Sequence, residues 1–148
     1  MNTRTRRLKS SGAVTLALGA LLGGALVWAP TAAAVAPSCT GVYSAYEGSY
    51  VTSTPIGFDT AAGRYTSACT LHEGAANAAV KSLQRNMNAC YRTGLDVDGK
   101  FGAATYAAVK FVQRRVGVTV DGKYGPQTRS AMVWAHWSRT TGKMVACF

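Results

Sequence analysis

Few residues in this chain could do covalent chemistry, and their spacing does not arrange them for it. The histidines are His72 and His136, in unmatched contexts. A hydrolytic zinc site needs three protein ligands and an open position, and no His-Glu-x-x-His or comparable cluster is present. Cleavage of a glycosidic bond needs two positioned carboxylates. Of the six acids, Asp96, Asp98 and Asp121 fall in turn sequences, which leaves Glu47, Asp59 and Glu73 in or near a stretch without a recognisable pattern. A cysteine nucleophile needs an unpaired thiol, and the even set Cys39, Cys69, Cys90 and Cys147 argues against one. The segment Asp96-Val97-Asp98-Gly99 invites a calcium reading. An EF-hand loop with Gly99 as its sixth residue would begin at Gly94 and end at Thr105, and neither supplies a carboxylate. No catalysis, metal or cofactor is expected.

The remaining chemistry is polar recognition, and its candidates come in pairs. Gln84 and Gln113 recur in equivalent places, as do Asp98 and Asp121, and Thr105 and Thr128. Each glutamine can be read as a brace for the adjacent turn or as a contact to ligand. The aspartates are expected to brace turns, and Phe101 and Tyr124 to anchor the core.

These pairs follow from an internal repeat, which has to be recognised before the fold can be read. Val97-Asp98-Gly99-Lys100-Phe101-Gly102-Ala103-Ala104-Thr105 returns 23 residues later as Val120-Asp121-Gly122-Lys123-Tyr124-Gly125-Pro126-Gln127-Thr128. Asp-Gly is a turn signal, because glycine accepts positive φ and aspartate bonds its own downstream backbone. Pro126 suits a first helical position, where a missing N–H costs nothing. Upstream, Ala79-Val80-Lys81-Ser82-Leu83-Gln84-Arg85 returns 29 residues later as Ala108-Val109-Lys110-Phe111-Val112-Gln113-Arg114. The two offsets differ by six, so the first copy carries six extra residues between helix and turn, around Ala89 to Gly94. Helical spacing gives Ala76, Ala79, Val80, Leu83, Met87 and Cys90 one apolar face, and Thr105, Ala108, Val109, Val112 and Val116 another.

Together these motifs resemble the peptidoglycan-binding domain family, a small three-helix cell-wall-binding module, over roughly Leu71 to Trp134. Ala103 departs from the pattern, since the family often has proline there. The resemblance implies an all-α fold: a three-helix module with two Asp-Gly turns, plus a short irregular or extended amino-terminal arm tied by disulfide. It also implies a ligand groove beside the helix starts and their loops, carrying Thr105, Tyr124, Thr128 and Arg129 over as ligand-binding candidates with Gln84 and Gln113.

The organisation expected is a signal peptide over residues 1–34, an arm over 35–68 and the module over 69–148. Arg4, Arg6, Arg7 and Lys9 precede an uncharged apolar run from Ala13 to Trp28, followed by small residues at Ala32, Ala34 and Ala36. That is the pattern of a secretory leader, so the product is expected outside the cell or at the wall, with no membrane association after cleavage. The whole chain carries a net charge of +10, and removing the four leader cations leaves twelve basic against six acidic residues, or +6. Such a surface suits anionic wall polymers rather than nucleic acid, with an attraction that salt weakens.

Four cysteines in an exported chain imply two disulfides. A helix over 75–89 would be about 22 Å long and separate Cys69 from Cys90, too far for a bridge. Cys39–Cys69 with Cys90–Cys147 is favoured, and Cys39–Cys90 with Cys69–Cys147 is the runner-up. The arm, with Tyr43, Tyr46, Tyr50 and Tyr65, reads as extended chain with a turn near Glu47-Gly48, either packed on the module or offering its rings to sugars. Trp134 can continue the third helix, and Trp137 reads as a core cap. The function expected is non-catalytic binding of peptidoglycan, stem peptide or glycan, by a secreted monomer. The alternative is a secreted interaction or inhibitor protein that keeps the module as a scaffold.

Overall fold

The structure, a computed structural model, describes residues 35–148; the expected leader lies outside the described residues. Their elements run β1 (Cys39–Glu47), β2 (Tyr50–Asp59), β3 (Arg64–Thr66), α1 (Ala78–Tyr91), α2 (Ala103–Val116), α3 (Pro126–Ala131), β4 (Ala135–Ser138) and β5 (Met144–Cys147).

The fold is therefore not all-α, and the label three-helix domain does not describe it. One five-stranded antiparallel sheet runs in the order β1-β2-β4-β5, with β3 also paired to β2. The arm supplies β1, β2 and β3, and the tail supplies β4 and β5. The arm is thus neither irregular nor unpaired: β1 and β2 form a hairpin from Glu47↔Tyr50 to Cys39↔Gly57. Its two-residue turn begins with Gly48 at φ 57°, the positive φ that tight hairpin turns require. The pairing that completes the sheet is distant in sequence, from Tyr50↔Ser138 to Thr52↔His136.

Helix α1 lies between this sheet and the repeated turns, and it is buried on both sides. Towards the turns it offers Val80, Leu83 and Met87, all fully buried. Towards the sheet it offers Ser82 and Asn86, which are polar and also buried. Ser82 Oγ donates to the Ser53 carbonyl at 3.0 Å. Asn86 donates to the Val133 carbonyl at 3.1 Å and accepts from the Ala135 N–H at 2.7 Å. The helix starts at Asn77, whose side chain accepts from the Val80 N–H at 3.1 Å, as an N-cap should. It ends at Arg92, which adopts the left-handed conformation at φ 56°.

The segment before α1 laces the two repeats together. Leu71 and Tyr124 exchange backbone bonds of 2.8 and 2.9 Å, and Phe101 N–H donates to the Ala75 carbonyl at 2.7 Å. Phe101 and Tyr124 are buried to within 1%, so both aromatics of the repeat are core anchors. Helix α3 stops at Ala131 because Met132 turns extended, at φ −76° and ψ 146°. Trp134 therefore leaves the helix and sets its ring edge-on to Tyr124, with centroids 6.3 Å apart. Trp137, on β4, lies beneath the Arg85 guanidinium at 5.2 Å and closes the seam between α1 and the sheet.

The disulfides are Cys39–Cys69 and Cys90–Cys147, the pairing favoured from sequence. The first fastens the start of β1 to the strand-like segment before α1. The second joins the last turn of α1 to β5.

Candidate functional site

Each Asp-Gly turn is held by one buried glutamine through an almost superposable set of bonds. Gln84 Oε1 accepts from the Gly99 N–H at 2.8 Å, while Nε2 lies 2.9, 3.0 and 3.1 Å from Asp98 Oδ1, the Lys100 carbonyl and Thr105 Oγ1. In the second copy Gln113 Oε1 accepts from the Gly122 N–H at 2.8 Å. Its Nε2 lies 2.7, 2.9 and 3.1 Å from Asp121 Oδ1, the Lys123 carbonyl and Thr128 Oγ1. Both glutamines and both threonines are buried. Turn and following helix start are thus fixed to the preceding helix by one side chain in each copy. The bracing reading of Gln84 and Gln113 is what the geometry displays, and Thr105 and Thr128 serve the same braces.

The aspartates gain acidity from this role. The Lys100 N–H and then the Gln84 amide lower the Asp98 pKa. At Asp121, partial burial works against ionisation, but the Lys123 N–H and the Gln113 amide outweigh it and the net shift is also downward. A carboxyl with a depressed folded pKa stabilises the fold above its unfolded value, about 3.9, and that stabilisation is lost as pH falls through the folded value. Thermal unfolding followed by circular dichroism should therefore show a melting temperature that drops below about pH 4. Asp98→Asn combined with Asp121→Asn should flatten that drop, and an unchanged acid limb would remove the aspartates from this role.

Both turns border a depression: the second, Asp121 to Lys123, shares one of about 420 Å³ with His72, Glu73 and Tyr106, and the first borders a larger one. A depression of about 720 Å³ lies between the loop Arg92–Asp98 and the first half of α2, from Gly102 to Phe111. Its wall is this loop; of the six surplus residues of the first copy, four lengthen α1 and two lengthen the loop. Asn88 holds this wall in shape. It donates to the Leu95 carbonyl at 2.7 Å and accepts from the Leu95 N–H at 2.7 Å and from Thr93 Oγ1 at 2.8 Å. Opposite the wall, α2 begins at Gly102 without a side-chain cap, so its first-turn N–H groups carry the positive end of the helix dipole into the groove. Arg92 and Lys100 add cations, Asp96 and Asp98 add carboxylates, and Leu95 and Phe111 give the groove an apolar end.

The six sequence-derived ligand candidates do not assemble around this groove. Gln84 and Thr105 reach its floor. Gln113 and Thr128 brace the other turn. Tyr124 is wholly buried, its hydroxyl without a hydrogen-bond partner among the described residues, and burial pushes its pKa up. Arg129 faces a different depression, on the sheet. Asn88, Arg92, Lys100 and Phe111 were not singled out as ligand contacts; the six-residue length difference marks the neighbourhood of Asn88 and Arg92, and no sequence signal sets Lys100 and Phe111 apart. Among the described residues no group of three His, Cys, Asp or Glu side chains comes together.

Residues 76–132 match the family described as "Putative peptidoglycan binding domain". That segment contains both copies of the repeat, and the match agrees with the resemblance that its motifs carry. The chain is also similar to the zinc D-Ala-D-Ala carboxypeptidase of Streptomyces albus G, 38% identical over 102 residues. This match takes in 68% of the chain but spans only 36% of that enzyme. A crystal structure of a peptidoglycan-binding protein from Clostridioides difficile, in complex with glutamine hydroxamate, aligns at 23% identity with a TM-score of 0.43. That alignment covers 60% of this chain and 54% of the other.

Proposed function

We propose that this protein is exported and binds peptidoglycan at the cell wall without cleaving it, and that the groove of the first repeat takes the stem peptide. The observation that carries the reading is the groove itself. It lies within the segment matching the peptidoglycan-binding family, and its wall is a loop that Asn88 ties down through three hydrogen bonds. A peptide carboxylate fits the uncapped start of α2 beside Lys100 and Arg92. A peptide amine fits Asp96, and an alkyl portion fits Leu95 and Phe111. The matching family is described as a binding domain, which supports binding in place of hydrolysis. Two disulfides support an oxidising compartment, and the net positive charge adds a salt-sensitive attraction to the wall.

The test is retention on purified peptidoglycan, with and without teichoic acid, at low and high salt. Retention on bare peptidoglycan at high salt is expected. Retention that needs teichoic acid and vanishes with salt would reduce the interaction to charge, and indifference to peptidoglycan in every condition would sink the reading.

Arg92 offers a sharper test, because its backbone and its side chain are in conflict. It is the one residue other than glycine with positive φ among the described residues, a conformation in which glycine is preferred by about 1 kcal/mol. Arg92→Gly should therefore raise stability by up to about 1 kcal/mol while weakening retention on peptidoglycan. A variant that gains stability and binds as well as the parent would remove Arg92 from the site.

A further inference from the structure

The outer face of the sheet, turned away from α1, carries an open depression of its own. Side chains opposite one another in register share a face. Tyr43 is paired with Thr54, Ala45 with Thr52, and Thr52 in turn with His136. The ladder continues beyond these pairs, where Trp134 and Phe148 exchange backbone bonds of 2.9 and 3.2 Å. Together with Arg129 and Glu47 these side chains line an open depression of about 260 Å³. The other face is taken up by α1: Val42, Ser53 and Trp137 line the seam with Lys81, Ser82 and Arg85.

The rim and floor of this depression differ in chemistry. Tyr43 and Phe148 stand at the rim with 59% and 66% of their surfaces exposed. Thr54 and His136 form a buried floor, where Thr52 Oγ1 lies 3.0 Å from His136 Nδ1. Arg129 reaches in from α3. Its Nε is buried and has no hydrogen-bond partner among the described residues, so packing rather than hydrogen bonding holds the guanidinium there. Glu47 stands four residues along β1 from Tyr43, roughly 13 Å away, so Arg129 dominates the aromatic end.

We propose that this depression binds a pyranose that carries a carboxylate. The apolar face of the ring stacks on Tyr43, its hydroxyls reach Thr52 and Thr54, and its carboxylate meets Arg129. The inference rests on the wall-binding reading, because wall glycan exposes such a sugar where the stem peptide has been removed from muramic acid. The protein then has two separate sites, the groove for peptide and the sheet face for peptide-free glycan.

The experiment is a titration of the protein with N-acetylmuramic acid, followed by the amide NMR shifts of Thr52, Thr54 and Trp134. N-acetylglucosamine, which lacks the carboxylate, is the control. The acidic sugar should move these amides and bind at least about tenfold more tightly than the neutral one. Arg129→Gln should erase that preference, Tyr43→Ala should weaken both sugars, and Arg92→Gly should change neither. Equal affinity for the two sugars would overturn the carboxylate assignment. Shifts elsewhere, or none, would overturn the site. Tyr43→Ala is a surface change and should leave the melting temperature unaltered, so its result reads binding alone. If the sugar shifts these amides but an isolated stem peptide does not bind, the groove assignment fails and the sheet site stands. Peptide binding without sugar shifts gives the reverse.

Discussion

Replacing Gln84 or Gln113 with methionine is expected to destabilise the protein by about 3 kcal/mol in each case. Methionine keeps the length and the buried volume, so the packing of Leu83 and Val112 beside it should survive. What it cannot do is accept from the glycine N–H or donate to the lysine carbonyl of the turn. A buried polar group left unsatisfied costs about 1–3 kcal/mol; each substitution orphans the glycine N–H, strips the aspartate of its amide donor, and leaves the lysine carbonyl only the threonine hydroxyl at 3.2 or 3.4 Å. The melting temperature should fall by about 10 °C or more, measured by circular dichroism. Glutamate would be worse than methionine, because its carboxylate would face Asp98 or Asp121 at a distance where the glutamine amide now sits 2.9 or 2.7 Å away. A loss below about 1 kcal/mol would mean that the Asp-Gly turns hold themselves. The two substitutions should part in function: Gln84→Met loosens the floor of the groove and should reduce peptidoglycan retention below the unfolding range, whereas Gln113→Met should not.

That near-identity of two braces explains why half of this molecule was legible in the sequence. The repeat encodes local structure, since each turn, its aromatic anchor and its helix start are adjacent in the chain. The connection from glutamine to turn crosses 15 residues in the first copy and nine in the second. The sheet was hidden for the opposite reason. Its central pairing joins β2 to β4 across the whole module, and nothing local marks either strand as the other's partner. The face of α1 that packs on it is made by Ser82 and Asn86, residues that helical periodicity assigns to solvent. Their burial is possible because the sheet satisfies them, through the Ser53 and Val133 carbonyls and the Ala135 N–H. A polar seam of this kind leaves no hydrophobic trace, and the arm and tail consequently read as extended chain and a helix extension. The groove was half legible. Six surplus residues marked its place, four of them lengthening α1 and two the loop, but the loop's shape depends on Asn88, whose three bonds to Thr93 and Leu95 cannot be inferred from an asparagine near a helix end.

The second large effect should come from the disulfide that joins these two halves. Cys90→Ser combined with Cys147→Ser opens a loop closed over 57 residues, and constraining an unfolded chain over that length contributes about 4 kcal/mol. Removing Cys39–Cys69, closed over 30 residues, should cost about 3.5 kcal/mol by the same reasoning. Thermal unfolding would therefore separate the two variants only slightly, and binding should separate them clearly. Cys90 stands in the last turn of α1, two residues before Arg92, so its bridge to β5 pins the point from which the groove wall departs. Cys39–Cys69 pins the start of β1 beside Thr70, away from that wall. The Cys90–Cys147 variant should lose retention on peptidoglycan at temperatures where it is still folded, and the Cys39–Cys69 variant should keep it. Tail strands that stay paired to β2 without the bridge would still leave the wall free to move, so sheet content and binding need not fall together. Equal retention by both variants would show that Asn88 alone is enough to hold the wall, and that the second disulfide serves only the sheet.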